Sequence, residues 1–240
     1  MQERKTRRSR RVLAPLACLI ALGALFAPGA ASAQFMPYQI VHLSEPYQPL
    51  PLPDGGPVQN LTFFNGSTTL GHYDPLLPAN FTVRFFDQVY GAGEMSVGTE
   101  GYVTFGPIGT ANITSNEHYA RNGTPQLMDN PSVPNQLIAL WWDNNSCESN
   151  RVKVQTLGLE PARIHVIETH CRHTTPTTGA IRDYEVQLWL FEGSSTMKVH
   201  YGKLPNGWNP SSPASTGMTS PKDPSSGAVV GYDFLDCGNA

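Results

Sequence analysis

The chain has 240 residues, of which 40% are hydrophobic, 10% aromatic and 15% charged, and its formal net charge at pH 7 is −3. Six of its 16 basic residues and one of its 19 acidic residues lie within 1–33, so 34–240 carries ten basic against 18 acidic residues, a net charge of −8. Such an acidic chain has no long-range attraction for nucleic acid or for an anionic membrane surface, and we predict no nucleic-acid partner.

Residues 1–33 have the pattern of a secretory signal peptide. A basic stretch is followed by an apolar run, 12–26, and by Ala31-Ser32-Ala33, a small-residue cleavage site. The apolar run is too short and too rich in Ala and Gly for a membrane span. We therefore predict cleavage after Ala33, no membrane span in the mature chain, and a protein that is secreted or held in the cell envelope (periplasm or surface in a bacterium). Arg10-Arg11 leaves the export route open, general or twin-arginine.

Residues 34–58 are rich in proline and polar residues and contain a turn sequence at 53–57. This composition predicts an extended lead-in or linker and not a packed element. Beyond it, short apolar or alternating runs are separated by turn sequences. The first two runs, 61–64 and 67–70, flank Asn65-Gly66, which predicts a two-residue hairpin turn.

The most informative run is 136–143, which is short, apolar and followed by polar residues, as expected for a strand buried on both faces. Trp141 and Trp142 would point to opposite faces of such a strand. One of them can fill a core, whereas the other must be covered by a second layer or by a partner.

The remaining pattern is that of an all-β protein, with no amphipathic helix of ordinary length and no internal repeat. Further hairpins are predicted at 151–157 with 163–169 and at 184–191 with 196–201. About eleven or twelve short strands separated by turns predict a single domain, an antiparallel β-sandwich, over 59–236, with a short tail at 237–240.

Three cysteines follow the predicted cleavage site: Cys147, Cys171 and Cys237. In an oxidising compartment two of them are expected to pair. Cys147 and Cys171 flank the hairpin predicted at 151–169, so we predict a disulfide between them. Pairing of either with Cys237 stays open, because connectivity cannot be deduced from a sequence alone.

Several stretches, in the same order, resemble nidogen-like (NIDO-type) extracellular domains and related bacterial secreted proteins. The stretches that carry the resemblance are 77–86, 95–106, 134–143 and 184–202. Glu100 replaces the family's Asn before Gly101, and Asn144 replaces its second acid after Trp142. The resemblance implies an extracellular β-sandwich used in adhesion or surface assembly, with no general set of catalytic residues.

No group of side chains has a catalytic or metal-binding spacing. A Gly-x-Ser-x-Gly elbow is absent, and the densest group of metal-capable residues does not have a zinc spacing. That group is His165, His170, Cys171 and His173. Carboxylates beside strands, which a glycosidase would pair, are interpreted as solvated strand faces and turns. These are Glu168, Asp183, Glu185 and Glu192.

We predict a secreted, non-enzymatic module that acts in adhesion or in cell-surface, matrix or envelope structure through protein contacts, without a cofactor. Exposed aromatic side chains anchor interfaces, and the candidate contact residues are Trp141, Trp142, Asp143, Trp208 and the irregular region 106–134. The alternative is a carbohydrate-binding, lectin-like sandwich, with calcium near Asp143. A secreted hydrolase is the third hypothesis, and the oligomeric state is left open.

Overall fold

The computed structural model describes residues 38–65, 71–106, 136–142, 145–147, 150–174, 181–203, 215–221 and 230–233. Every regular element in these ranges is a β-strand, so the predicted all-β class is confirmed. The strands are β1 Gln59–Asn60, β2 Phe63–Asn65, β3 His72–Tyr73, β4 Val83–Phe85, β5 Gln88–Tyr90, β6 Met95–Gly98, β7 Tyr102–Phe105, β8 Leu137–Trp142, β9 Asn145–Ser146, β10 Val152–Leu157, β11 Ile164–Thr174, β12 Ile181–Phe191, β13 Met197–Tyr201, β14 Ser215–Thr219 and β15 Gly231–Asp233. None of these ranges contains a helix long and apolar enough to cross a membrane.

The strands form two main antiparallel sheets and one separate hairpin. The first sheet has the order β1-β10-β11-β12-β13, and β9 continues the line of β10 along the same side of β11. The second sheet has the order β15-β14-β8-β7-β6-β3-β2, and β4 pairs only with β5. The two sheets pack as a β-sandwich, as the turn-punctuated pattern of the sequence predicted.

The core lies between the sheets, because each strand turns alternate side chains inward. Ile138 and Leu140 of β8 meet Ile167 and Tyr184 of the first sheet in one buried apolar cluster. The β4–β5 hairpin closes one end of this core, where the rings of Phe85 and Phe105 stack with their centroids 3.9 Å apart. The hydrophobic pattern of the strands is therefore what positions both sheets.

The three longer hairpins follow the sequence pattern. Strands β10–β11 and β12–β13 pair as adjacent antiparallel strands at the predicted positions, and β6–β7 form a third hairpin. The pairing of β9 with Arg172 and His173 brings Cys147 beside Cys171. The disulfide predicted between these two cysteines is confirmed, and their Cα atoms are 4.6 Å apart. Cys237 lies outside the described residues.

The hairpin predicted at Asn65-Gly66 is wrong. Strand β2 pairs with His72 and Tyr73 of β3, so that Asn65 is opposite His72 and six residues connect the two strands. The Asn-Gly pair is a turn signal, but β3 must also pair with Gly98 and Val97 of β6. That second pairing, on the far side of β3, decides the register.

The prediction that residues 34–58 are an unpacked linker is wrong for residues 45–58. Leu50 and Leu52 are buried against Val166 of β11, with Trp189 of β12 packed beside them. These residues cover the face of the first sheet that is turned away from the second sheet. Proline prevents the segment from pairing as a regular strand, but it does not prevent side chains of the sheet from binding its backbone. We call residues 45–58 the docked segment.

Candidate functional site

Both tryptophans of β8 are buried, with exposed fractions of 4% for Trp141 and 1% for Trp142. The backbone N–H groups of Leu140 and Trp141 both donate to the carbonyl oxygen of Gly101, at 2.9 and 3.0 Å, and the pairing with β14 shifts register here. This is a β-bulge, which turns two consecutive side chains to the same side. Trp141 therefore joins Leu140 in the core between the sheets.

The prediction that one tryptophan of the pair offers an exposed contact surface is wrong. Trp141 packs on Tyr184 of the first sheet, with ring centroids 6.4 Å apart. Trp142 points to the other face of β8, where it packs edge-on against Tyr102 at 5.7 Å. The sequence could not show this, because burial of the second face depends on which side chains meet it. Asp143, Trp208 and residues 107–134 lie outside the described residues.

The end of β8 forms a hydrogen-bonded corner with the turn between β6 and β7. Asn145 Nδ2 donates to the carbonyl oxygens of Trp141, at 2.6 Å, and of Glu100, at 2.8 Å. Burial, and then the charge of Glu100, raise the pKa of Tyr102. Asn145, two residues before Cys147, thus links the end of β8 to the turn between β6 and β7.

The metal-capable residues have structural roles where they are described. Cys171 is oxidised, and His165 is buried with its Nε2 donating to the Pro75 carbonyl oxygen at 2.8 Å and its Nδ1 accepting from the Thr156 hydroxyl at 2.9 Å. This assignment of the ring proton follows from the partners. Burial lowers the pKa of His165 to about 4. Within the described ranges, no group of three or more His, Cys, Asp or Glu residues is arranged to hold a metal ion.

The four candidate carboxylates have separate neighbours. Glu192 forms an ion pair with Arg163. Asp183 Oδ1 lies 3.7 Å from Arg172 Nε, and Glu185 Oε1 lies 3.6 Å from His170 Nε2. Glu168 differs from the predicted solvated strand face, because only 4% of it is exposed. The reason is the docked segment, which covers it.

The docked segment is held by three polar side chains of the first sheet. Gln155 accepts from the N–H of Leu52 at 2.7 Å and donates to the carbonyl oxygens of Leu52 and Gly56. Glu168 Oε2 accepts from the N–H of Leu50 at 2.9 Å and from the Tyr47 hydroxyl at 3.1 Å. These contacts satisfy backbone groups that have no strand partner.

The third side chain is Gln187, which lies directly opposite Glu168 on the neighbouring strand. Its amide donates to Glu168 Oε2 and to the Gln48 carbonyl oxygen, both at 2.8 Å, and accepts from the Trp189 indole N–H. Burial, and then the charge of Glu168, raise the pKa of Tyr47. The hydroxyl of Tyr47 therefore stays protonated and continues to donate.

The chain immediately before the docked segment is attached at both of its ends. Tyr38 packs on Phe86, with ring centroids 5.0 Å apart, and its hydroxyl accepts from the Phe86 N–H at 3.0 Å. Glu45 forms an ion pair with Lys198 of β13, and the Tyr47 ring lies 5.4 Å from that of His200. The residues between these two attachment points are thereby held across the surface of the domain.

Residues 39–43, which we call the apolar segment, contain the most concentrated exposed hydrophobic side chains of the described chain. Ile40, Val41 and Leu43 have exposed fractions of 37%, 63% and 67%. This feature was not predicted from the sequence, because the proline content of residues 34–58 as a whole obscures the composition of 38–45. The signal was present, since residues 38–45 contain no proline and include the β-branched pair Ile40-Val41 followed by Leu43.

A family model described as NIDO related matches residues 37–232. The chain belongs to the NIDO-related family. The match begins before the apolar segment, so this segment and the docked segment are parts of the NIDO-related domain and not a linker in front of it. Domains of this type are typically extracellular, and the disulfide fits an oxidising compartment. The comparison with curated proteins and the comparison with solved structures gave no match.

Proposed function

We propose that this NIDO-related protein is secreted and acts, without catalysis and without a cofactor, in adhesion or in extracellular or envelope structure through direct contact with another protein. The observation that carries the proposal is the exposed apolar segment on a domain of a typically extracellular family. Exposed hydrophobic side chains that occur singly need no explanation, whereas a concentrated group is characteristic of an interaction site. Three such residues within four positions form a group of this kind.

The energetics favour a contact at this position. Covering a valine or leucine side chain completely stabilises a complex by about 1.5–3 kcal/mol. The segment is already attached to the domain at Tyr38 and Tyr47, which lowers the cost of ordering it when a partner binds. The net charge of −8 on residues 34–240 keeps the protein apart from other acidic surfaces, and the apolar segment itself contains no charged Asp, Glu, Lys or Arg residue.

The test is adhesion of beads coated with residues 34–240 to cell surfaces. We expect the beads to adhere, to lose adhesion when the cells are first treated with protease, and to keep it after glycosidase treatment. Replacing Val41 and Leu43 together by Asp is expected to abolish adhesion. The matched control is Leu159→Asp, because Leu159 is an exposed leucine, 84% accessible, at a different turn.

Three outcomes would contradict the proposal. The first is a folded protein whose beads do not adhere to any surface. The second is adhesion that survives protease and is lost after glycosidase, which would support the carbohydrate-binding alternative. The third is equal loss of adhesion in the Leu159 control, which would show that the apolar segment has no special role.

A further inference from the structure

We propose that the protein contacted by the apolar segment is a second copy of this chain, which pairs its own apolar segment with the first in an antiparallel two-stranded ribbon. This inference rests on the proposed function, because it names the partner of the same contact segment. The ribbon would have a two-fold axis through Val41, so the same five residues of each copy form the contact. Closed two-fold contacts of this kind are the commonest in protein oligomers.

The backbone of the apolar segment is available for pairing. No residue of the apolar segment makes a hydrogen bond in the described structure. The next proline is Pro46, so all five residues carry an N–H group as well as a carbonyl group. A row of unpaired backbone donors and acceptors is the template on which another strand adds, once the segment takes the extended conformation of a strand.

The side chains select one register. In an extended chain Gln39, Val41 and Leu43 point to one side, and Ile40 and His42 point to the other. All five residues are exposed, and Val41 and Leu43, at 63% and 67%, are more exposed than Ile40, at 37%. An axis through Val41 pairs Val41 with Val41, Ile40 with His42, and Gln39 with Leu43. It therefore collects Val41 and Leu43 of both copies on one face of the ribbon.

The charges do not oppose this pairing. The protein is acidic overall, but no Asp or Glu lies between residues 38 and 44. The first carboxylate is that of Glu45, and Lys198 neutralises it. In the proposed register each His42 is opposite Ile40 of the other copy, so two ionisable groups never face one another. An acidic or basic partner would find no complementary charge on this segment, whereas an identical neutral strand matches it.

The contact is small, and its size predicts how the association behaves. Isolated two-stranded ribbons are marginal in water, so the ribbon depends on the attachment of each segment at Tyr38 and Tyr47. We therefore expect a reversible, concentration-dependent dimer and not a permanent one. Such a contact would operate where copies are crowded together on a surface.

The experiment is sedimentation velocity of residues 34–240 over a dilution series. Neighbouring N–H groups of a strand point to opposite edges, so one of two adjacent positions must donate to the partner. We compare Val41→Pro and His42→Pro, which each remove one N–H, with the matched controls Val41→Thr and His42→Thr, which keep it. Both positions are exposed and make no hydrogen bond among the described residues, so the thermal midpoint should be the same in all four variants.

The expected result is a shift from monomer to dimer with concentration for the wild-type protein and both threonine variants, and loss of the dimer in at least one proline variant. A wild-type protein that is monomeric at every concentration would overturn the inference. A dimer that survives both proline substitutions would also overturn it. Bead adhesion without a dimer contradicts only the self-pairing, whereas a proline-sensitive dimer without bead adhesion contradicts only the proposed function.

Discussion

Glu168 Oε2 lies 2.9 Å from the backbone nitrogen of Leu50, a residue that precedes it by 118 positions. A buried carboxylate on the longest hairpin thus fixes the N-terminal part of the domain. The same oxygen accepts from Tyr47 and Gln187, so three donors converge on one acceptor. The docked segment depends on this acceptor, since its own backbone has few other partners.

Replacing Glu168 by Leu tests this dependence. The substitution keeps the volume of the side chain and leaves the Leu50 N–H and the Gln187 amide without their acceptor. We expect the free energy of unfolding, measured by urea denaturation, to fall by about 3 kcal/mol. The control is Glu160→Leu, because Glu160 is 59% exposed and should change stability by only about 0.5 kcal/mol. Equal stability of the two variants would show that the contact with Leu50 is not important.

Gly101 is the position at which the β-bulge of β8 meets the preceding turn. Its φ is +86°, and a Cβ atom added there would lie 2.2 Å from the carbonyl oxygen of Trp141. Gly101→Ala must therefore displace backbone, and we expect it to lower the free energy of unfolding by more than about 3 kcal/mol. The matched control is Gly93→Ala, where φ is +81° and no atom lies within 4 Å.

Gly93→Ala should cost only the conformational strain, about 1 kcal/mol. The difference between the two variants, measured by thermal or urea denaturation, isolates the steric effect of the Trp141 carbonyl group. A loss of stability at Gly101 no larger than the loss at Gly93 would contradict the close approach of the turn to β8.

His165 predicts a specific dependence of stability on pH. Its pKa is about 4 in the folded protein, against an ordinary value of 6.5, because burial opposes the charged ring. Above pH 6.5 the ring is neutral in both states and has no effect. As the pH falls below 6.5 the unfolded chain binds a proton that the folded chain does not, so the free energy of unfolding decreases until the pH reaches about 4.

The size of this decrease follows from the interval of about 2.5 pH units, which corresponds to about 3 kcal/mol. Urea denaturation at a series of pH values measures it. In His165→Gln this part of the pH dependence should disappear, whereas His42→Gln should keep it because His42 is exposed. An unchanged slope between pH 6.5 and about 4 in His165→Gln would contradict the assignment.

The Cys147–Cys171 disulfide joins residues separated by 24 positions. Closing a loop of this length restricts the unfolded chain and is expected to stabilise the fold by about 3.5 kcal/mol. The double substitution of both cysteines by Ala should therefore lower the urea midpoint. Reduction of the wild-type protein should produce a similar loss and should not affect the double variant further. A reductant effect on the double variant would point to another disulfide in the chain.

Local features of the fold were predictable because they depend on residues close together in the chain. The alternation of Tyr184–Phe191 and the turn after it specify the β12–β13 hairpin, and the position of Cys147 and Cys171 beside the β10–β11 hairpin indicates their pairing. These patterns act within one hairpin, where neighbouring strands meet in the order of the sequence. The all-β class was predictable for the same reason, since short alternating runs and turn sequences are local patterns.

The sequence by itself determined the all-β class and the longer hairpins, and it favoured the Cys147–Cys171 disulfide while leaving a pairing with Cys237 open. Only the tertiary structure decided that both tryptophans of β8 are buried, that Glu168 is covered, and that residues 45–58 are docked while 39–43 remain exposed. The physical reason is that burial depends on which surfaces meet. The composition of a segment indicates which backbone conformations it favours. Its burial depends on contacts with distant residues, such as Glu168, which lies more than a hundred residues away.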